Sequence, residues 1–159
     1  MCNYFNPETR NSEEFIAEIT GYVANMDFAA ISYYPFVKGQ RNTNEFQESF
    51  DFLHKKVNIP ISIVETNHLA EDLVVESFNV NISSDECEQR EYLETLLQNA
   101  HLYNYEFIIW GAHRDYDPLW DTFSDDVKDI GRLWRDTSLL NEEGNPRAGL
   151  TSWREILAK

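Results

Sequence analysis

Apolar side chains recur along this chain in two alternating rhythms. Phe15, Ile19, Tyr22, Val23 and Met26 fall three and four residues apart, which predicts an amphipathic helix over residues 12–26. Asn11, three residues before Glu14, fits its N-terminal cap. The spacing then breaks into a mostly apolar run, Phe28 to Tyr34, closed by Pro35 and Gly39. Continuous apolarity of that kind suits a strand buried on both faces of a parallel sheet. The same grammar repeats. Phe46, Phe50, Leu53 and Val57 predict a second helix that ends before Pro60, and Ile59 to Val64 reads as a short buried strand followed directly by Glu65-Thr66-Asn67-His68. A long polar loop is expected from there to Ser83, which forms a capping box with Glu86. Tyr92, Leu93, Leu96, Leu97 and Ala100 mark a third helix, Tyr105 to Trp110 a third strand, and Leu150, Trp153 and Leu157 a last helix. Between them, Gly111 to Asn145 is rich in Asp, Trp and Arg and reads as an elaborated loop with short helical pieces.

Helices alternating with buried strands make parallel sheets with right-handed crossovers. No Gly-rich phosphate loop follows any strand, which argues against a nucleotide-binding doubly wound sheet. In (β/α)8 barrels chemistry gathers where strands end and loops begin. Polar residues collect at those points here: Ser32-Tyr33-Tyr34, Glu65-Thr66-Asn67-His68, and Trp110 through Asp117. The expected fold class is therefore α/β, an incomplete (β/α)8 barrel whose residues 1–159 form one C-terminal part with flanking helices. Three strong strands, or four if Met1–Phe5 counts, do not close an eight-stranded barrel. They leave open edges and uncovered apolar faces. The remainder has to come from further sequence, a second copy of the chain or another partner.

Composition narrows the ligand. Hydrophobic residues make up 42% and aromatics 14% of 159 residues, which describes a folded domain. The aromatics are either core side chains or platforms for flat ligands such as sugar rings. With 28 acidic against 13 basic residues the formal net charge is −15, a field that repels nucleic acid and anionic membrane surfaces. Carbohydrate, being neutral, stays open as a partner. Cys2 and Cys87 are too few for a disulfide framework or zinc site, and no cofactor or metal is expected. No apolar run reaches the roughly 18 residues of a membrane span. If Met1 is the true start, the absence of a signal peptide implies a cytoplasmic protein. The sequon Asn81-Ile82-Ser83 then carries little weight.

Glu65 is the candidate catalytic carboxylate. A carboxylate immediately after a buried strand sits at a barrel mouth, where glycosidic bond cleavage needs one to attack or stabilise the anomeric carbon. The alternative is an ordinary loop or strand-end Glu. Tyr33 and Tyr34 end the preceding strand, and a hydroxyl there could hydrogen-bond Glu65, or the rings could simply pack. Trp110 is a sugar platform or a core Trp. Asn67 beside Glu65, His68, His113 and Asp115 fall on the same expected face, with no metal-ligand spacing between the histidines. Arg114 to Asp117 is a charged rim or a self-satisfied loop.

Ile31-Ser32-Tyr33-Tyr34-Pro35-Phe36, Pro60-Ile61-Ser62-Ile63-Val64-Glu65-Thr66 and Phe107-Ile108-Ile109-Trp110, in that order, resemble the last three strands of clan A glycoside hydrolases. Within the clan they look most like endo-β-1,4-galactanases and related uncharacterised barrels. Trp134-Arg135-Asp136-Thr137 through Asn145-Pro146-Arg147 and Trp153 resemble the closing segment of such barrels. The resemblance implies a retaining β-glycosidase with Glu65 as nucleophile, Trp110 lining the sugar site and Tyr33 or Tyr34 flanking the nucleophile. It also implies an acid/base Glu preceded by Asn after a fourth strand, and the chain offers no such strand. Asn44-Glu45 has the right letters but opens a helix, where Glu is an ordinary first-turn residue. The expectation is a glycoside hydrolase portion, acting on a β-galactan-like polysaccharide and inactive in isolation for want of the acid/base. The competing readings are a non-catalytic glycan-binding protein and a vestigial half-barrel that oligomerises.

Overall fold

A computed structural model describes residues 2–4, by their backbone, and 27–158. The helix expected over 12–26 lies outside the described residues. The chain divides into two compact units, the first Met1–Thr66 with Thr95–Trp110, the second Asn67–Glu94 with Gly111–Lys159.

The first unit is built on a four-stranded, all-parallel sheet in the order β1 (Cys2–Tyr4), β2 (Ala29–Tyr33), β3 (Ile61–Thr66), β6 (Ile108–Trp110). Strands adjacent in sequence are adjacent in space, as in a (β/α)8 barrel. Helix α1 (Thr43–Lys56) begins at Asn42, whose side chain accepts from the backbone N–H groups of Asn44 and Glu45 at 3.1 and 3.2 Å. Glu45 in turn accepts from the Arg41 N–H at 2.6 Å, so its carboxylate serves the helix start. The buried residues of α1 are Phe46, Ser49, Phe50 and Leu53, the face that the spacing predicts. Phe50 meets the ring of Tyr33 edge to face, with centroids 5.7 Å apart, and so fixes one side of the sheet as the helix-covered side. The incomplete α/β barrel expected from the sequence is the architecture found, with four parallel strands.

The second unit holds a feature the sequence does not announce. Leu73–Val75 (β4) and Val80–Ile82 (β5) pair antiparallel inside the segment expected to be loop. The hairpin turns through Asn79, which takes the left-handed conformation at φ 51°. Strands of three residues are too short for alternation to register in a sequence window. The cap of α2 (Glu86–Leu102) also differs from expectation. Asp85, rather than Ser83, accepts from the N–H groups of Cys87 and Glu88, at 2.8 and 3.0 Å, while the Ser83 hydroxyl donates to Asp72. Between Gly111 and Asn145 stand α3 (Asp117–Trp120) and an eleven-residue helix, α4 (Asp125–Arg135), longer than the short pieces expected. Helix α5 (Ala148–Leu157) closes the chain where Leu150, Trp153 and Leu157 place it.

Candidate functional site

In the first unit the strand ends are set by a single irregularity. Ile31 pairs with Ile63, but the next residue of β2, Ser32, pairs with Glu65, so β3 carries one extra residue at Val64. Alternation alone would put Glu65 on the same side as Ile63, towards the helices. The bulge reverses that, leaving Thr66 on the helix side with Tyr33 and turning Glu65 to the inner face beside Ser32. Thr66 donates to the Tyr33 carbonyl at 2.6 Å and locks the end of the pair. Thr66 is also level with Trp110 on β6, so Tyr33, Thr66 and Trp110 form one row at the carboxyl end of the sheet. Glu65 is exposed, and its carboxylate has no hydrogen bond or ion pair among the described residues. A buried ion pair would have to be broken before such a group could attack, and none is present.

Tyr33 is buried, and its hydroxyl donates to Gln40, whose amide in turn reaches Ser49 of α1. Its ring belongs to the helix side of the sheet, away from Glu65. Tyr34 is half-buried with its ring against Phe36, and Trp110 is half-buried at the sheet end. Tyr34 and Trp110 are thus the aromatic candidates of this unit that retain exposed surface beside the strand ends.

The other candidates belong to the second unit. Asn67 and His68 are buried, and His68 Nδ1 lies 3.1 Å from the Leu69 carbonyl with its ring 5.6 Å from that of Tyr92. His113 is exposed. Asp115 has a wholly buried side chain and is committed: one oxygen accepts from the Ser138 N–H at 3.0 Å, the other from Arg147 at 2.6 Å. Arg147, 3% exposed, also bonds Glu71 at 2.6 Å and Glu86 at 3.2 Å. Burial works against its charge, but the bonds from Asp115 and Glu71 win and raise its pKa. Carboxylate oxygens of Glu71, Asp115 and Glu142 lie within 4.8 Å of one another, a spacing a cation would tolerate. Arg147 already supplies positive charge to two of the three.

Two further elements of this unit escaped sequence reasoning. Gln89 sits fully buried on α2 and donates through its amide to the carbonyls of His68, Thr137 and Ser138 at 3.0, 3.2 and 3.2 Å. Arg135 joins Asp117 and Asp136 at 3.1 and 3.0 Å and lies over the ring of Trp120, 4.8 Å from its centroid. Burial pushes the Asp136 carboxyl up to about 6, against the opposing pull of Arg135. Gln89 continues the Tyr92, Leu93 and Leu96 stripe of α2, a signal that it is buried, but nothing local marks its partners or those of Arg147, which stand between 21 and 76 positions away.

No family model matches the chain, and no curated protein does. Solved structures of similar fold include glycoside hydrolases and a glucanosyltransferase. A xylanase from Thermotoga maritima superposes with a TM-score of 0.59 at 14% identity, covering 99% of this chain and 45% of that one. A thermostable mutant of a xylanase from Cellvibrio japonicus gives 0.59 at 11% identity, over 99% and 49%. An active-site mutant of the Rhizomucor miehei β-1,3-glucanosyltransferase, in complex with laminaritriose, gives 0.51 at 13% identity, over 86% and 55%. The chain thus spans about half the length of each, and at these identities the likeness establishes a fold: part of the (β/α)8 barrel on which these enzymes are built.

Proposed function

We propose that this chain is the portion of a retaining β-glycoside hydrolase that carries the nucleophile, Glu65, and that its substrate is a β-galactan-like polysaccharide. The observation that supports the reading is the bulge at Val64, which turns Glu65 to the inner face, exposed and uncommitted, at the carboxyl end of β3. In such a reaction the carboxylate attacks the anomeric carbon and forms a glycosyl ester. A second carboxyl group protonates the departing oxygen and later activates water. Tyr34, half-buried beside the strand end, offers apolar surface to a sugar ring, whereas Trp110 stands in the helix-side row with Tyr33 and Thr66. Among the residues of the four described strands Glu65 is the only carboxylate, so the second carboxyl group has to come from outside them. Loss of the proton donor typically costs ~10²–10⁴ in rate, and a single copy is expected to show little or no turnover of β-1,4-galactan.

An activated substrate separates the two roles. Dinitrophenyl 2-fluoro-β-glycosides have a leaving group that needs no protonation, so a nucleophile alone suffices to form the covalent adduct. With the galactoside, the expected outcome is a glycosyl ester on the peptide containing Glu65, found by mass spectrometry and missing in Glu65→Gln. No adduct from the galactoside, glucoside or xyloside would sink the reading. An adduct from the xyloside alone would keep the nucleophile and replace the galactan assignment.

A further inference from the structure

The amino end of the sheet, opposite Glu65, holds a cleft that the proposed reaction does not use. Helices that feed parallel strands bring the turns before β3 and β6 side by side. The first covers residues 57–60, leaving α1, and the second 103–107, leaving α2. Main-chain bonds tie the two together: the Glu106 N–H donates to the Ile61 carbonyl and the Ile63 N–H to the Phe107 carbonyl, both at 3.1 Å. Asn104 takes the left-handed conformation, φ 52°, and so turns the chain out of α2 towards β6. Between the turns lies a cavity of about 480 Å³, lined by His54, residues 57–61, Tyr103, Asn104 and Glu106. All of these belong to the first unit.

One wall of the cavity is aromatic and held in place. The Tyr103 ring stacks on that of His54, with centroids 3.4 Å apart and planes 16° from parallel. His54 is itself fixed, its Nε2 lying 3.0 Å from the Tyr105 hydroxyl. Tyr103 is nonetheless 42% exposed, and with one face taken by His54 that exposure falls on the other face and the edge. Ile59 and Pro60 add apolar surface. Asn58, Asn104 and Glu106 are exposed, and neither their side chains nor the Tyr103 hydroxyl has a hydrogen bond among the described residues. No Lys or Arg lines the cavity. Burial lowers the pKa of His54 against the pull of Asp51, so its imidazole is neutral at pH 7.

We propose that this cleft is a second, non-catalytic sugar site, which holds one neutral pyranose ring against Tyr103. A pyranose presents C–H groups on its face and hydroxyls around its edge. The C–H face suits an aromatic ring already immobilised by its own stack, so little ordering is left for binding to supply. Each sugar hydroxyl both donates and accepts. The Asn58 and Asn104 amides do the same, and the Glu106 carboxylate accepts. Phosphate and uronate are disfavoured, because the one charge on the lining is that carboxylate. Ile61 and Glu65 lie near opposite ends of β3, roughly 13 Å apart at about 3.3 Å per residue, so a sugar held here is out of reach of the nucleophile. The inference rests on the glycosidase reading only in the choice of galactose as the first probe.

An NMR titration of the ¹⁵N-labelled chain with methyl β-galactopyranoside, and then methyl β-xylopyranoside, tests the proposal. At least one sugar is expected to shift the backbone N–H signals of residues 57–59, 61 and 103–106 saturably, with a Kd on the order of 1 mM. Tyr103→Ala should weaken binding by roughly tenfold or more, and Tyr103→Phe, which keeps the ring on His54, by less than about threefold. Asn58→Ala alters an exposed, unbonded side chain, leaves the fold intact and should weaken binding by about threefold. Unmoved signals elsewhere in the chain confirm that each variant folds. No saturable shift in these two turns with either sugar overturns the proposal. So does binding that survives both Tyr103→Ala and Asn58→Ala, or an equal response to cyclohexanol, which has a saturated ring but lacks the ring of hydroxyls. Binding here without a glycosyl adduct on Glu65 keeps this inference and removes the glycosidase reading. An adduct without binding here does the reverse.

Discussion

The largest fully buried side chains of the first unit are Tyr33, Phe36, Phe46, Phe50, Leu53, Ile63 and Leu96, all aromatic or aliphatic, with the small polar Ser62 and Thr66 buried beside them. In the second unit the deepest layer includes Arg147, Asp115, Gln89 and His68 beside Tyr92 and Leu93. The first unit excludes water from hydrocarbon, which is non-directional and tolerant. The second satisfies buried charges and carbonyls, which is directional and costly to leave half done. The difference governs what each unit leaves over for chemistry. In the first, the single carboxylate of the described strands, Glu65, is exposed and has no partner among the described residues. In the second, Asp115 is spent on Arg147 and the Ser138 N–H.

The sharpest way to break this contrast is Arg147→Met. The substitution strands Asp115, whose side chain is fully buried, and should cost about 3–5 kcal/mol in urea unfolding. Adding Asp115→Leu removes the stranded charge and should recover at least half of the loss, because Glu71 and Glu86 are half-exposed and can turn to water. If the double variant is no more stable than the single, the ion pair is not what holds this unit. Leu53→Ala probes the other chemistry. Leu53 is 1% exposed, and its truncation should cost about 2–4 kcal/mol through lost transfer energy and the cavity left behind. A cost under about 1 kcal/mol would mean that the core of the first unit is loosely packed.

These two residues also show why legibility was uneven. Leu53 lies on a helical stripe with Phe46, Phe50 and Val57, and a period of 3.6 is visible in any window of a dozen residues. The same signal placed α2 and α5, and continuous apolar runs placed the strands β2, β3 and β6. Arg147 follows no period, and Gln89, though in phase with Tyr92, Leu93 and Leu96 on α2, is polar and has partners joined to it only by the fold. The position of Glu65 after a buried strand was readable. Its orientation was not, because strict alternation gives the opposite face, and no spacing rule announces the extra residue at Val64. The Tyr33 hydroxyl likewise goes to Gln40 and not to Glu65, a choice fixed by the side of the sheet that α1 covers.

Asp136 tests the second unit by pH. Its carboxyl is held at about 6 against an ordinary 3.8, raised first by burial, so the folded state binds the proton more tightly than the unfolded chain. Stability from this group is fully present below about pH 4 and is lost as pH rises through 6, the opposite of a salt-bridged aspartate. Asp117, also raised by burial, acts in the same direction. Asp136→Asn should flatten the fall between pH 4 and 6 and gain on the order of 1 kcal/mol at pH 7, after allowance for its partial solvation and the lost bond to Arg135. Thermal melts across that range decide it, and a variant with an unchanged pH slope would remove Asp136 from the account.

The smallest expected effect is the one on which the functional reading depends most. Glu65→Gln removes a charge that pairs with nothing among the described residues and lies in solvent, so unfolding should shift by less than about 0.5 kcal/mol. An ordinary strand-end Glu that helps hold the sheet would cost more when neutralised, because a hydrogen bond to a charged group contributes about 1.5–3 kcal/mol. A reactive carboxylate is kept uncommitted at no gain to the fold, and its replacement by the isosteric amide should be silent in a urea titration while abolishing the glycosyl adduct. A measurable loss of stability with the adduct unaffected would return Glu65 to the structural residues. The first unit would then have no carboxylate on its strands to offer a substrate.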